Sequence, residues 1–465
     1  DFIDNAGGVD CSDHEVNIKI MLNEIVASGD MTMKQRNQLF MEMTDAVSEL
    51  VLSNNYRQTQ AIALAHRECQ EGMDEYVRLI HDFEDSGKLN RALEYLPDEE
   101  TLAERKLKGL GLTKPELSIL ISYAKADLKE RLNLEAISQD TYLCKIVETA
   151  FPQKLVDDYN SPVMHHKLRS EIVATQLAND LVNYMGITFV NRLTESTGAT
   201  VVEVARAYVA ARDVFGLHDL WSKIEALDYQ IPAKVQADMM SRLMRLVRRA
   251  SRWFLRNRRT DMDVAAEVES FKASADSVRN NLSEWLKGST QEAWQERFDQ
   301  YTEQGVPENV SALAAGTSSL FSALGIIEAS HQTERSVERV AEAYFFVGET
   351  LSLNWFLEQI NNLEANSHWQ ALAREAFRDD MDWQLRSLTV SVLNTEESES
   401  IPMTELMDQW KTAHPNLVSR WQKMLDALRA SDKAEYAMYS VALRELLDLA
   451  QASRHLSTDD ANQKL

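Results

Sequence analysis

Turn-forming residues are scarce in this chain. Its 465 residues include 15 glycines and 8 prolines, against usual shares of about 7% and about 5%. So few breakers over such a length imply long helices. Cysteine is rarer still. Cys11, Cys69 and Cys144 stand far apart with no Cys-x-x-Cys, which argues against a disulfide framework or a zinc site and points to reduced thiols in the cytoplasm. Positive charge is in deficit, with 49 Lys and Arg against 73 Asp and Glu and a net charge of −24. A chain this acidic repels nucleic acid and anionic membranes, so neither is expected as a partner. No apolar run approaches the ~18 residues of a membrane span, and no signal peptide is read. There is no complete Gly-x-Gly-x-x-Gly, no Walker loop, no His-Glu-x-x-His and no nucleophile elbow. No catalytic residue and no metal ligand can be picked from motifs alone.

What is present is amphipathic and polar. The apolar fraction is 44% and the charged fraction 26%, as in a soluble globular protein. The length could hold roughly two to four domains. The chain opens at Asp1 without a methionine and beside a structured stretch, which reads as a fragment of a longer protein.

The densest chemistry is Asn5-Ala6-Gly7-Gly8-Val9-Asp10-Cys11-Ser12-Asp13-His14-Glu15. Gly7 and Gly8 can take positive φ and let the backbone pass close to a flat ligand. Ser12 and Glu15 have capping-box spacing, and Val16, Ile18, Ile20, Met21, Leu22 and Ile25 follow. The stretch reads as a short extended segment at Phe2 and Ile3, then a glycine turn opening into a helix. The N-terminus of such a helix suits an anion such as a carboxylate. An ordinary capped turn gives the same pattern.

The remainder reads as helix after helix. Leu39, Met43, Ala46, Val47, Leu50 and Val51 recur at helical spacing. Tyr76 to Phe83 and Leu89 to Leu96 read as two short helices around Ser86-Gly87. Gly109-Leu110-Gly111 lacks the third glycine of a phosphate loop and follows a charged helix. Thr113-Lys114-Pro115-Glu116 is better read as a capping box. Adjacent His165 and His166 point apart on a helix and read as surface or partly buried rather than as a metal pair. Residues 200–215 form a very apolar helix. From Pro232 a helix carries Arg242, Arg245, Arg248, Arg249, Arg252, Arg256, Arg258 and Arg259, which suit acidic neighbours, with an anionic effector as the lesser option. Ser289 and Glu292 have capping-box spacing. Trp355, Trp369, Trp383, Trp410 and Trp421 read as core anchors. The last helix runs from about Glu435 to Ser453, with a frayed polar tail from Ser457.

The opening stretch resembles the end of the catalytic domain of glutamate dehydrogenases. That superfamily carries Asn-Ala-Gly-Gly-Val, two residues, a Ser, two residues and a Glu. Here Asn5, Gly7, Gly8, Val9, Ser12 and Glu15 fall in register. Asp10 through Lys19 looks like the very large bacterial NAD-specific members, which carry a long helical C-terminal region. Leu107 to Leu117 and the helical remainder are similar to that region.

The resemblance implies a mostly α fold: a multi-helix C-terminal domain preceded by the short glycine-turn and helix end of a dehydrogenase catalytic domain. Residues 1–70 would close the catalytic domain. Residues 71–465 would be the all-helical domain, with a possible division near 155–162 or 260. Asn5, Gly7 and Gly8 would sit beside the nicotinamide end of NAD, and Val9 and Ser12 would line the pocket for the glutamate side-chain carboxylate. Ser12 could serve as cap, substrate contact or both. Asp10, Cys11, Asp13 and His14 depart from the mostly apolar or aromatic residues of the small enzymes. In the family, hydride passes from L-glutamate to NAD, and the imine is hydrolysed to 2-oxoglutarate and ammonium. The lysine and aspartate that do the acid–base work, and the dinucleotide fold, would precede Asp1. The implied protein is a cytoplasmic homo-oligomer, inactive as this chain alone. The rival reading is a non-enzymatic helical scaffold.

Overall fold

The computed structural model describes residues 2–134, 137–258, 262–365, 367–395, 401–431 and 435–463. Among the described residues there is no strand, and no single helix is long and apolar enough to cross a membrane. The chain divides into two compact units. One comprises Asp1–Ala210 and Phe254–Ala265, the other Ala211–Trp253 and Ala266–Leu465.

The first unit opens with α1 (Phe2–Ser28), α2 (Met33–Glu42) and α3 (Thr44–Glu68). Thr32 and Gln35 cap α2 reciprocally, a box the sequence reading passed over. Next come α4 (Met73–Asp85) and α5 (Glu99–Leu107), the latter capped by Asp98 on Thr101 N–H. Residues 91–95 between them are turns, not the expected short helix. Asn90 Oδ1 takes the Leu93 N–H and Tyr95 adopts φ 54°, so side-chain bonding and a left-handed residue displace the helical ladder.

Then α6 (Lys114–Leu134) begins at the Thr113–Glu116 box. Gly109-Leu110-Gly111 is a structural turn. Gly109 takes φ +67°, and a Cβ on Gly111 would collide with the Cys69 thiol. Two 3-10 segments, Ile137–Gln139 and Leu143–Ala150, lead to the short helices α7 (Gln153–Asp158) and α8 (Asn160–Met164). After these come α9 (Arg169–Met185), α10 (Phe189–Thr197) and most of α11 (Val201–Phe215). On α6, Leu117, Leu120, Ile121, Ala124, Leu128 and Leu132 form a buried stripe, matched on α9 by Val173, Leu177, Ala178 and Leu181. α6 and α9 pack along that seam. Each buried aliphatic side chain contributes about 1.5–3 kcal/mol.

The second unit contains α12 (Leu217–Glu225), most of α13 (Ala233–Asn257) and of α14 (Val264–Trp285), α15 (Gly288–Glu303), α16 (Glu308–Leu320), α17 (Ala323–Thr333), α18 (Val337–Thr350) and α19 (Leu353–Asn362). It ends with α20 (His368–Leu393), α21 (Met403–Ala413), α22 (Pro415–Arg429) and α23 (Tyr436–Gln463). α20 is central, packed by α17, α18, α19 and α23.

Trp410 and Trp421 are fully buried. Each satisfies its indole N–H, Trp410 on Ser391 Oγ at 2.9 Å and Trp421 on the Leu351 carbonyl at 2.9 Å. Trp355 and Trp383 are half-buried and Trp369 is 78% exposed, so not all five tryptophans are anchors. The expected Ser289–Glu292 box does not form. The N-cap is Lys287, two residues earlier, and the Glu349 carboxylate stands beside Gly288 at the helix N-terminus, where a negative charge meets the helix dipole. α23 continues to Gln463, through residues expected to fray.

Arginines of α13 meet carboxylates of α20. Arg249 reaches Asp382 at 3.3 Å, and Arg252 reaches Asp379 at 3.0 Å and Glu375 at 3.4 Å. Arg249 also lies 3.9 Å over the Phe321 ring. Acidic neighbours therefore answer this part of the arginine stripe. Burial pushes the Asp382 carboxyl up to about 6, against the pull of Arg249. Arg259 lies outside the described residues.

Candidate functional site

The residues that carry the superfamily pattern all lie on α1, and α1 is not what their spacing suggests. The helix is continuous over Phe2–Ser28. There is no glycine turn at Gly7-Gly8, and neither glycine takes positive φ. Ser12 sits in mid-helix and caps nothing. Two helical glycines cost about 1 kcal/mol each relative to alanine. Burial of Ile18, Met21 and Leu22, each 0–1% exposed, outweighs that cost at about 1.5–3 kcal/mol per side chain.

Two buried histidines fix the inner face of α1. His14 donates from Nδ1 to the Ala150 carbonyl at 2.9 Å. His166 accepts the Leu168 N–H at Nδ1, 3.0 Å, and so donates from Nε2 to the Asn17 carbonyl at 3.0 Å. Each is 4% exposed. The carbonyl acceptors set both tautomers. His165 is exposed and bonds the Ser161 carbonyl one turn back.

Helical geometry then sorts the predicted site residues. Asn5, Gly8, Val9, Ser12 and Val16 recur at three- and four-residue steps and are all exposed, Val9 at 64% and Val16 at 46%. They form one outward stripe. The Ser12 hydroxyl makes no hydrogen bond among the described residues, and a Cβ on Gly8 would meet open space. Gly7 is on the opposite, buried face. A Cβ there would lie 2.7 Å from Asn55 Nδ2, so Gly7 lets α3 approach α1 closely.

Beneath the stripe is a polar layer. Asp10 Oδ2 accepts from Asn54 Nδ2 at 2.8 Å, and Asp10 Oδ1 lies 3.7 Å from His14 Nε2. His14 Nε2 and Asn55 Oδ1 are buried without a hydrogen-bond partner among the described residues. On α6, the half-buried Lys125 amine is pushed down to about 7 by burial, with Asp10 pulling it back up. These groups can orient a neighbour or hold a proton. None stands on the outward stripe. Among the described residues, no group of three or more His, Cys, Asp or Glu is placed to hold a metal ion.

Sequence reasoning passed over Asn54, Asn55 and Lys125. A signal existed for His14: it interrupts the buried stripe of Ile18, Met21 and Leu22 at helical spacing. Lys125 similarly adjoins the apolar stripe of α6.

Comparison with known proteins bears on both ends of the chain. A family described as "Glutamate dehydrogenase, C-terminal" matches residues 109–448. One described as "Bacterial NAD-glutamate dehydrogenase, catalytic domain" matches residues 1–65. The NAD-specific glutamate dehydrogenase of Pseudomonas aeruginosa is 55% identical over 455 residues, covering 98% of this chain. Its counterparts in Halomonas elongata and Mycobacterium tuberculosis are 46% and 34% identical, each over 97% of this chain. The chain spans 28% of the length of each of these relatives.

Proposed function

The chain belongs to the glutamate dehydrogenase family, as its C-terminal part, and from that premise we propose that α1 supplies one wall of the glutamate and NAD site of the whole protein. That protein would oxidise L-glutamate to 2-oxoglutarate and ammonium. One observation carries the reading. Asn5, Gly8, Val9 and Ser12 share an exposed stripe on α1, inside the stretch that matches a catalytic-domain family. Residues 1–65 also leave Val9, Val16, Met33, Met41, Leu52 and Tyr56 exposed. Apolar surface of this kind suits cover by more protein.

The stripe fits the two ligands. Open space over Gly8 and the neighbouring Asn5 amide suit the flat nicotinamide end of NAD, and Gly7 backs that end by letting α3 close in. The cofactor, when bound, would accept the hydride. Val9 and the unengaged Ser12 hydroxyl suit the glutamate side-chain carboxylate, a methyl surface beside a donor. Asp10 and Lys125, one layer in, set the field under the stripe.

Residues 1–70 would thus close the catalytic domain, and residues 71–465 would hold that closing element in place. His166 and the Ala150 carbonyl, both from the helical region, grip α1 directly. The acid and base of the reaction are not on the stripe, so the 465-residue chain alone is expected to be inactive. Incubating it with L-glutamate and NAD should give no NADH, while the full-length protein should. NADH formation by the chain alone would overturn the reading, as would a full-length protein without the activity.

A further inference from the structure

α4, α6 and the start of α10 surround a cavity of about 270 Å³ in the first compact unit. Its floor is Leu79 and Phe83 of α4, Ala124 and Leu128 of α6, and Ile187 and Val190 around the start of α10. The four-residue steps put each helical pair on one face, and all six side chains are 4–6% exposed.

The wall is polar. Lys88 Nζ reaches Asp127 Oδ1 at 2.6 Å and Glu130 at 3.1 Å, and Arg131 Nη1 reaches Asp127 Oδ2 at 3.3 Å. Of the four charged side chains that line the cavity, Lys88, Arg131 and Asp127 thus answer one another. Asp82 is the fourth. It accepts from Asn191 Nδ2 at 2.8 Å and has no cation partner among the described residues. Two further acceptors line the same cavity. Asn191 Oδ1 accepts no hydrogen bond among the described residues. The Ser86 hydroxyl donates to the Phe83 carbonyl at 3.1 Å, which leaves its oxygen free to accept. Ser86 is held at the end of α4, where Gly87 at φ +69° lets the Lys88 N–H return to the Phe83 carbonyl at 2.9 Å.

An apolar floor with an uncompensated carboxylate at its edge selects a ligand. An anion would meet Asp82 and two cations already spent on Asp127. A bare metal cation would gain nothing from the floor. An ammonium group brings three N–H donors for Asp82, Asn191 and Ser86, and an apolar body attached to it takes the floor out of water. The net charge of −24 favours the approach of a cation.

We propose that this cavity binds a small primary amine with an apolar body, its ammonium group on Asp82. Ligand cavities run from about 300 Å³ upward, so this one suits a body of only a few carbons. The site uses none of the residues assigned above to glutamate or NAD and does not rest on that assignment.

Calorimetric titration of the 465-residue chain with 3-methylbutylamine at neutral pH tests this. The amine should bind saturably at one site. 4-Methylpentanoate carries a carboxylate on the same apolar body, and ammonium chloride has the charge without the body. Each should bind weaker by about tenfold or more. Asp82→Asn should weaken amine binding by a similar factor, the loss expected for one hydrogen bond to a charged group. Asp85→Asn, at an exposed position on the same helix and outside the cavity, should leave it unchanged. The melting temperature without amine shows whether Asp82→Asn is folded. If it is not, the comparison of the three ligands still decides, since it needs no variant. Failure of the amine to bind overturns the site. So does equal binding of the carboxylate or of ammonium alone, full binding by the folded Asp82 variant, or an equal loss in Asp85→Asn, which would mean a diffuse surface field.

Discussion

α1 and α13 are both long helices, one with a mixed outward stripe and one with an arginine stripe, and the two stripes end differently. On α13, Arg249 and Arg252 run into Asp382, Glu375 and Asp379 of α20. That face is closed within its own unit. On α1, Asn5, Gly8, Val9, Ser12 and Val16 face outward, while the opposite face is clamped by His14 and His166. An arginine stripe answered by its own fold serves stability. A stripe held rigidly from behind and left open in front is built to meet something else.

The largest effect should come from breaking the closed stripe. Arg252 is 11% exposed and sits between two carboxylates. Arg252→Met removes the cation that both carboxylates share and should cost about 2–3 kcal/mol in denaturant unfolding, somewhat less than for a fully buried pair. A loss under about 1 kcal/mol, the range of an exposed pair, would erase the contrast with α1.

The next test concerns the layer under the open stripe. Lys125 has its folded pKa lowered to about 7 from an ordinary 10.5. Between those values the unfolded chain holds a proton that the folded chain does not. Stability from this group is therefore present above the ordinary value and lost as pH falls toward 7. Lys125→Met should flatten that slope and stabilise the chain at neutral pH by about 1–2 kcal/mol, as expected when a poorly paired interior ion is replaced by an apolar side chain. An unchanged slope in thermal melts from neutral to alkaline pH would show that the amine is well solvated.

The smallest effect separates helix from turn. Gly8→Ala should stabilise the chain by up to about 1 kcal/mol, because Gly8 is helical and its Cβ position is empty. A turn with positive φ at Gly8 would make the same change destabilising, so the sign of the change in melting temperature decides.

Much of the fold was legible because helix periodicity is a strong signal and breakers are few. The stops at Gly186, Gly216 and Gly305, all at positive φ, are of the kind a sequence announces. Local capping motifs were less dependable. Thr113–Glu116 forms its box, yet Ser12–Glu15 and Ser289–Glu292 do not. In both failures something distant is at hand: the buried face of α1 pulls the helix back past the glycines, and the Glu349 carboxylate stands beside Gly288 at the start of α15. The site was legible as a set of residues and illegible as a shape. The pattern picks out Asn5, Gly7, Gly8, Val9 and Ser12, but only the α1–α3 contact through Asn55 turns Gly7 inward. His14 and Lys125 act through Ala150 and Asp10, far away in sequence, where no local motif reaches.

The most direct test of the open stripe is Ser12→Ala in the full-length protein. Ser12 is exposed, in mid-helix, and caps nothing, so stability should be unchanged. If its hydroxyl meets the glutamate carboxylate, KM for glutamate should rise by roughly tenfold, the loss expected for one hydrogen bond to a charged group, with KM for NAD little altered. An unchanged KM for glutamate, or a lowered melting temperature with intact kinetics, would contradict the assignment of α1 as a wall of the substrate pocket.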